Sequence, residues 1–232
     1  MRLRFTSTAL AVAALGFASA AQAQVDPVLN SFSGGSFFFA VSAGGQDTVG
    51  WDFTVTQPIV VNALGYYDEG ANGLASSHPV GLWDAATQTL LASATVDTTD
   101  LAGPTFPVTA TVNGQFLFDT FDGGGSLTLV PGVTYVLGGY VPAGSTSAVT
   151  DGYRSSVTSP SFDPGIVFGQ ARRDTAGTAP GLTFPDVATA GNGRFGPNIG
   201  FIIPEPSSAA IAGAGMLAFM SRRRRTRAVT TS

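Results

Sequence analysis

Of 232 residues one is a histidine, His78, and none is a cysteine. A Ser–His–carboxylate hydrolase would have to use that one imidazole. His78 lies between Ser77 and Pro79 at the head of a predicted strand, and no Gly-x-Ser-x-Gly elbow precedes a helix, so the residue reads as a histidine holding a turn. Without cysteine there is no disulfide, zinc thiolate site or thiol nucleophile. Two carboxylates held about 5–10 Å apart could hydrolyse a glycosidic bond; Asp68, Glu69 and Asp84 are the nearest candidates, with solvated turn acids as the alternative. Oxygen donors beside glycines could hold a hard cation such as Ca2+. Asp68, Glu69 and Asn72 in the stretch 68–73, and Asp119 with Asp122 ahead of Gly123, Gly124 and Gly125, are the candidate metal ligands, and Asp, Asn and Gly also favour such turns without a metal. Tyr66, Tyr67, Trp83, Tyr140 and Tyr153 could stack on sugar rings, although aromatics in strands commonly serve a core. Tyr153 and Arg154, placed in a long loop, form the candidate glycan contact.

The elements that must position these residues read as β. Turn signals recur about every 8–12 residues, and no stretch of the body keeps a 3.6-residue apolar period. Eleven strands are expected at 36–41, 49–55, 59–67, 80–84, 89–96, 108–112, 115–121, 127–130, 133–140, 166–170 and 195–202, joined as an all-β, two-sheet antiparallel sandwich of jelly-roll type. Trp51, Phe53 and Val55 alternate and should face inward; Trp83 and Leu91 are further expected core. Asn113-Gly114 predicts a type I′ hairpin turn, and Pro131-Gly132 a type II turn closing a second hairpin. Two long loops, 142–165 and 171–198, complete the expectation.

Charge narrows the partners. Residues 24–203 carry four arginines, no lysine and fourteen acids, a net −10 hidden within the whole-chain −4. Such a body repels phosphate backbones, which excludes nucleic acid as a partner.

Both ends carry addresses. Residues 1–23, with Arg2, Arg4, a short apolar run and Ala21-Gln22-Ala23, have the organisation of a secretory signal peptide, so the chain enters the Sec machinery and the mature body starts at Gln24. At the other end Pro204-Glu205-Pro206 precedes an uncharged run, residues 207–220, and then Arg222, Arg223, Arg224 and Arg225. As a helix that run spans roughly 21 Å, short of the about 20 residues a comfortable crossing needs. The arginines would stay on the cytoplasmic side of the inner membrane, which makes the tail a transient hold.

The order of these three parts within residues 204–227 resembles the PEP-CTERM sorting signal of Gram-negative bacteria. The resemblance implies an exosortase as partner, removal of the helix and arginines, release or attachment at the cell surface, and a place in exopolysaccharide or biofilm matrix. An ordinary retained anchor is the alternative. The body also resembles a bacterial secreted β-sandwich family of unknown function. The resemblance runs through 63–68, 74–84, 90–96 and 129–138 and closes at 195–198, and it implies a sandwich without an assigned activity. The expectation is an exported surface or matrix protein that is not an enzyme; a carbohydrate-binding module stabilised by Ca2+ and, more distantly, a secreted glycoside hydrolase are the other readings.

Overall fold

The computed structural model describes residues 23–39, 47–142, 151–174 and 181–203, which belong to one compact unit. The signal segment, Pro204, Glu205, Pro206, the expected C-terminal helix and Arg222 to Arg225 lie outside the described residues. Nineteen strands and no helix are found among those described. The first seven are β1 Gln24–Pro27, β2 Leu29–Ser33, β3 Ser36–Phe38, β4 Asp47–Val55, β5 Ile59–Val61, β6 Ala63–Glu69 and β7 His78–Asp84. The middle six are β8 Leu90–Val96, β9 Leu101–Ala102, β10 Phe106–Pro107, β11 Asn113–Thr120, β12 Leu127–Leu129 and β13 Thr134–Val141. The last six are β14 Tyr153–Ser155, β15 Thr158–Phe162, β16 Ile166–Arg173, β17 Val187–Thr189, β18 Arg194–Phe195 and β19 Pro197–Ile203.

Two six-stranded antiparallel sheets dominate. One runs β1-β19-β6-β11-β10 with β9 also on β11, the other β17-β16-β4-β13-β7-β8. A single apolar cluster draws on both, including Leu64, Tyr66 and Phe118 from the first and Trp51, Phe53, Leu82 and Leu137 from the second. The all-β antiparallel sandwich expected from the sequence is therefore the observed architecture. Three small sheets, β12-β5, β18-β14-β3 and β15-β2, accompany the two large ones.

β4 shows how sequence becomes packing. Trp51, Phe53 and Val55 share the inner face as the period of two requires, and all three are buried. The outer face is buried too, because residues 181–186 lie across it: Thr183 donates its backbone N–H to Thr48 Oγ1 at 3.0 Å, and the Phe184 ring meets Trp83 edge-on at 6.0 Å. Asp52, on that outer face, accepts from Arg172 Nε at 2.6 Å.

Several expectations are corrected. Asn113-Gly114 forms no turn: both residues lie in β11, and the reversal occupies residues 108–112, where Thr109 Oγ1 accepts the N–H groups of Thr111 and Val112. Gly114 is needed for closeness instead, since a Cβ there would stand 2.6 Å from the Tyr67 ring. Pro131-Gly132 does turn the chain, with Gly132 at φ +86°. Its flanking strands, however, pair elsewhere, β12 with β5 and β13 with β4 and β7, so no second hairpin forms. Leu91 is 39% exposed rather than core, because the β7–β8 register shifts between Leu82 and Trp83 and leaves Leu91 unpaired as a bulge on an edge strand. The two long loops contain β14, β15, β17 and β18, and Arg172 and Arg173 end β16.

Candidate functional site

The last strand before the tail is fixed more firmly than its terminal position demands. β19 lies between β1 and β6, with Gln24 opposite Ile203 and Ile199 opposite Leu64. Two asparagine side chains act as extra lengths of backbone. Asn62 accepts the Ile202 N–H at 2.7 Å and donates to its carbonyl at 3.1 Å, while buried Asn198 does the same for Leu29 at 3.1 and 2.8 Å. The Trp51 indole N–H donates to the Pro197 carbonyl at 3.1 Å. Ile203 is 48% exposed, and Pro204 follows without an N–H, so the ladder to β1 has no donor with which to continue. The body thus holds its grip up to the residue before Pro204, where the tail begins.

Four of the five sequence-predicted metal ligands, Asp68, Glu69, Asp119 and Asp122, accept hydrogen bonds from protein donors. Asp68 takes the Gly73 N–H at 2.9 Å, the Asn72 N–H at 3.3 Å and the Gln115 amide at 2.8 Å, which folds residues 68–73 around its carboxylate. Glu69 pairs with Arg154 through Nε at 2.9 Å and through Nη2, and accepts the Tyr67 hydroxyl at 2.6 Å. Burial first, and Glu69 next, hold the Tyr67 phenol well above its usual range. Asp119 receives the Thr120 N–H and Asp122 the Ser93 hydroxyl at 2.6 Å. Asp119 stands opposite Leu64, at the far end of the β6–β11 pair from Asp68, so the two acidic stretches do not form one site. No group of three or more His, Cys, Asp or Glu able to hold a metal occurs among the described residues. Asp84 caps its own turn by accepting from Ala86 and Thr87; the Thr87 N–H is the main cause that holds its carboxyl below the usual range.

Tyr153 and Arg154, expected in an open loop, are buried on β14 between β3 and β18. The Tyr153 ring stacks on Phe38 at 5.7 Å, and its hydroxyl accepts from Arg194 at 2.7 Å. Arg154 also donates to the Gly34 and Gly35 carbonyls at 3.2 and 3.0 Å. Neither side chain is available to stack on a sugar in this arrangement. Phe38, 41% exposed, is the aromatic ring most open to solvent among the described residues.

His78 is fully buried and holds more than a turn. Its Nδ1 meets the Tyr140 carbonyl at 2.9 Å, its Nε2 meets Asp151 Oδ2 at 3.1 Å, and its ring lies flat on Tyr66 at 3.8 Å. Ser76 Oγ is 3.3 Å from the same Nε2. A working triad has serine and carboxylate on opposite ring nitrogens; here both share one, and the other nitrogen is taken by a carbonyl. Asp151 Oδ2 further accepts the N–H groups of Ala75 and Ser76 at 2.7 and 3.1 Å. The cluster ties residues 75–78 to the segment just ahead of β14 and to Tyr140 of β13. Nothing near Asp151 in the sequence marks it, because its partners lie more than 70 positions away. The Asp151→Ala variant is expected to unfold about 2–3 kcal/mol more easily in urea, since the buried His78 ring and the part-buried N–H groups of Ala75 and Ser76 lose a charged acceptor; Asp151→Asn should lose less.

The PEP-CTERM protein-sorting motif matches residues 203–225, starting on the residue that ends β19. No curated protein matches this chain. The motif marks the chain for export and for sorting to the cell surface by an exosortase, through an intermediate held at the membrane by its tail.

Proposed function

We propose that the β-sandwich is a structural or interaction module of the cell surface or extracellular matrix, delivered by its tail and working in exopolysaccharide or biofilm matrix without turnover of a substrate. The observation that carries this reading is the sorting motif set directly on the last strand of a body whose ends, Gln24 and Ile203, sit opposite each other. In the proposed sequence of events Sec translocates the chain, signal cleavage frees Gln24, and the body folds outside the inner membrane while the short helix and arginines hold it there. Exosortase then releases the body from its anchor. A net charge of −10 suits a soluble, exported body.

Fractionation of cells carrying the Pro204→Ala, Glu205→Ala, Pro206→Ala triple variant tests the delivery. Full-length, unprocessed protein should accumulate at the inner membrane, and surface material should fall by an order of magnitude or more. Normal surface levels of the variant would sink the reading. The matrix role is tested separately by co-sedimentation of the wild-type protein with exopolysaccharide from the producing cells. Absence of any association would leave delivery intact and remove the matrix partner.

A further inference from the structure

A second pair of carboxylates, not marked by any turn motif, lies at one end of the six-stranded sheet that holds β4. Asp47 opens β4 opposite Val141, and Asp174 directly follows β16, its N–H donating to the Thr48 carbonyl at 3.0 Å. The two residues are 3% and 5% exposed, and their carboxyl groups stand within hydrogen-bonding reach of each other. Asp174 Oδ2 accepts the Thr183 hydroxyl at 2.7 Å, and Thr183 Oγ1 lies 3.1 Å from Thr48 Oγ1. Asp47 Oδ2 and Asp174 Oδ1, however, are buried without any hydrogen-bond partner. No oxygen of Asp68, Glu69, Asp119 or Asp122 is buried without a partner in this way.

Two adjacent buried carboxylates with one orphaned oxygen each form a costly arrangement unless a positive charge comes between them. Two arginines stand near: Arg194 donates to the Tyr153 and Thr189 hydroxyls, and Arg173 ends β16 exposed. We propose that Asp47 and Asp174 bind one Ca2+ ion, with the Thr48 and Thr183 hydroxyls beside them completing an all-oxygen environment. Two carboxylates neutralise a divalent charge, and hard oxygen donors without nitrogen or sulfur select an ion of this class. A bound ion would tie the start of β4 to the end of β16.

The test is calorimetric titration of chelator-treated full-length protein with CaCl2, for the wild type and the Asp47→Asn, Asp174→Asn and Asp122→Asn variants. One ion per chain is expected, with affinity reduced at least a hundredfold in the first two variants and kept in the third. Asparagine removes the repulsion between the paired acids, so these two variants should fold, and in chelator melt no lower than wild type. Saturating Ca2+ should raise the wild-type Tm by about 5 °C or more. No binding at roughly 10 mM Ca2+ and neutral pH, or equal binding in all variants, would overturn the proposal. A Tm that ignores Ca2+ would also overturn it, leaving a shared proton as the only occupant.

Discussion

Arg154→Ala should lower the unfolding free energy by about 3–5 kcal/mol, the range found when one partner of a buried ion pair is removed. The guanidinium is nearly enclosed and Glu69 is about four-fifths buried, so solvent screening does little to soften the loss. Four acceptors depend on this one side chain: both Glu69 oxygens and the carbonyls of Gly34 and Gly35. The planar fork of arginine reaches them together, which lysine cannot do; Arg154→Lys should therefore recover only a minor part. The pair joins β6 of one large sheet to the small sheet of β3, β14 and β18. Replacing both partners, with Arg154→Met and Glu69→Leu, should cost less than Arg154→Ala alone, because no charge is left buried without its counterpart. Urea unfolding of the wild type, Arg154→Met, Glu69→Leu and the double variant gives the double-mutant cycle. A loss below about 1 kcal/mol for Arg154→Ala would place the pair in the weak, solvent-screened class instead.

Arg154 also shows why parts of the molecule were hidden in the sequence. Its neighbourhood is rich in Ser, Thr and Gly, which reads as loop, and a three-residue strand is too short for periodicity to reveal. What buries it is the company of Phe37, Phe38 and Phe195, which are remote in sequence. The same limit explains Asp151, Asn62 and Asn198, whose side chains bond backbone groups 75 to 169 positions away. Local signals served better where the physics is local. Trp51, Phe53 and Val55 alternate and are buried; Gly132 adopts the positive φ that its place after Pro131 implied. Asn113-Gly114 failed for a definite reason: the glycine answers to the Tyr67 ring packed against it rather than to a turn. The acids read as metal ligands accept from protein donors, and a carboxylate that caps a loop and one that holds a cation share the same neighbours in sequence. Only the presence or absence of donors around each oxygen separates them.

Trp51→Ala is expected to cost about 4 kcal/mol or more, within or slightly above the range for aromatic truncation in a core. Trp51 is fully buried, and its ring contacts Phe53, Phe162, Phe168 and Phe195 at centroid distances of 5.0 to 6.2 Å. Its indole N–H is also the donor to the Pro197 carbonyl, at the entry to β19. Trp51→Phe separates the two roles: it keeps much of the ring contact but leaves a buried carbonyl unpaired, and should cost about 1–3 kcal/mol for that loss together with the smaller ring. The two contributions also predict different patterns of amide exchange. The Ala variant should lose protection across both large sheets, because the cavity lies in their common core. The Phe variant should lose it first along β19 and its partner β1, the strands next to the sorting tail. If the Phe variant instead loosens the whole core and spares β19, the indole bond has no special part in holding the last strand.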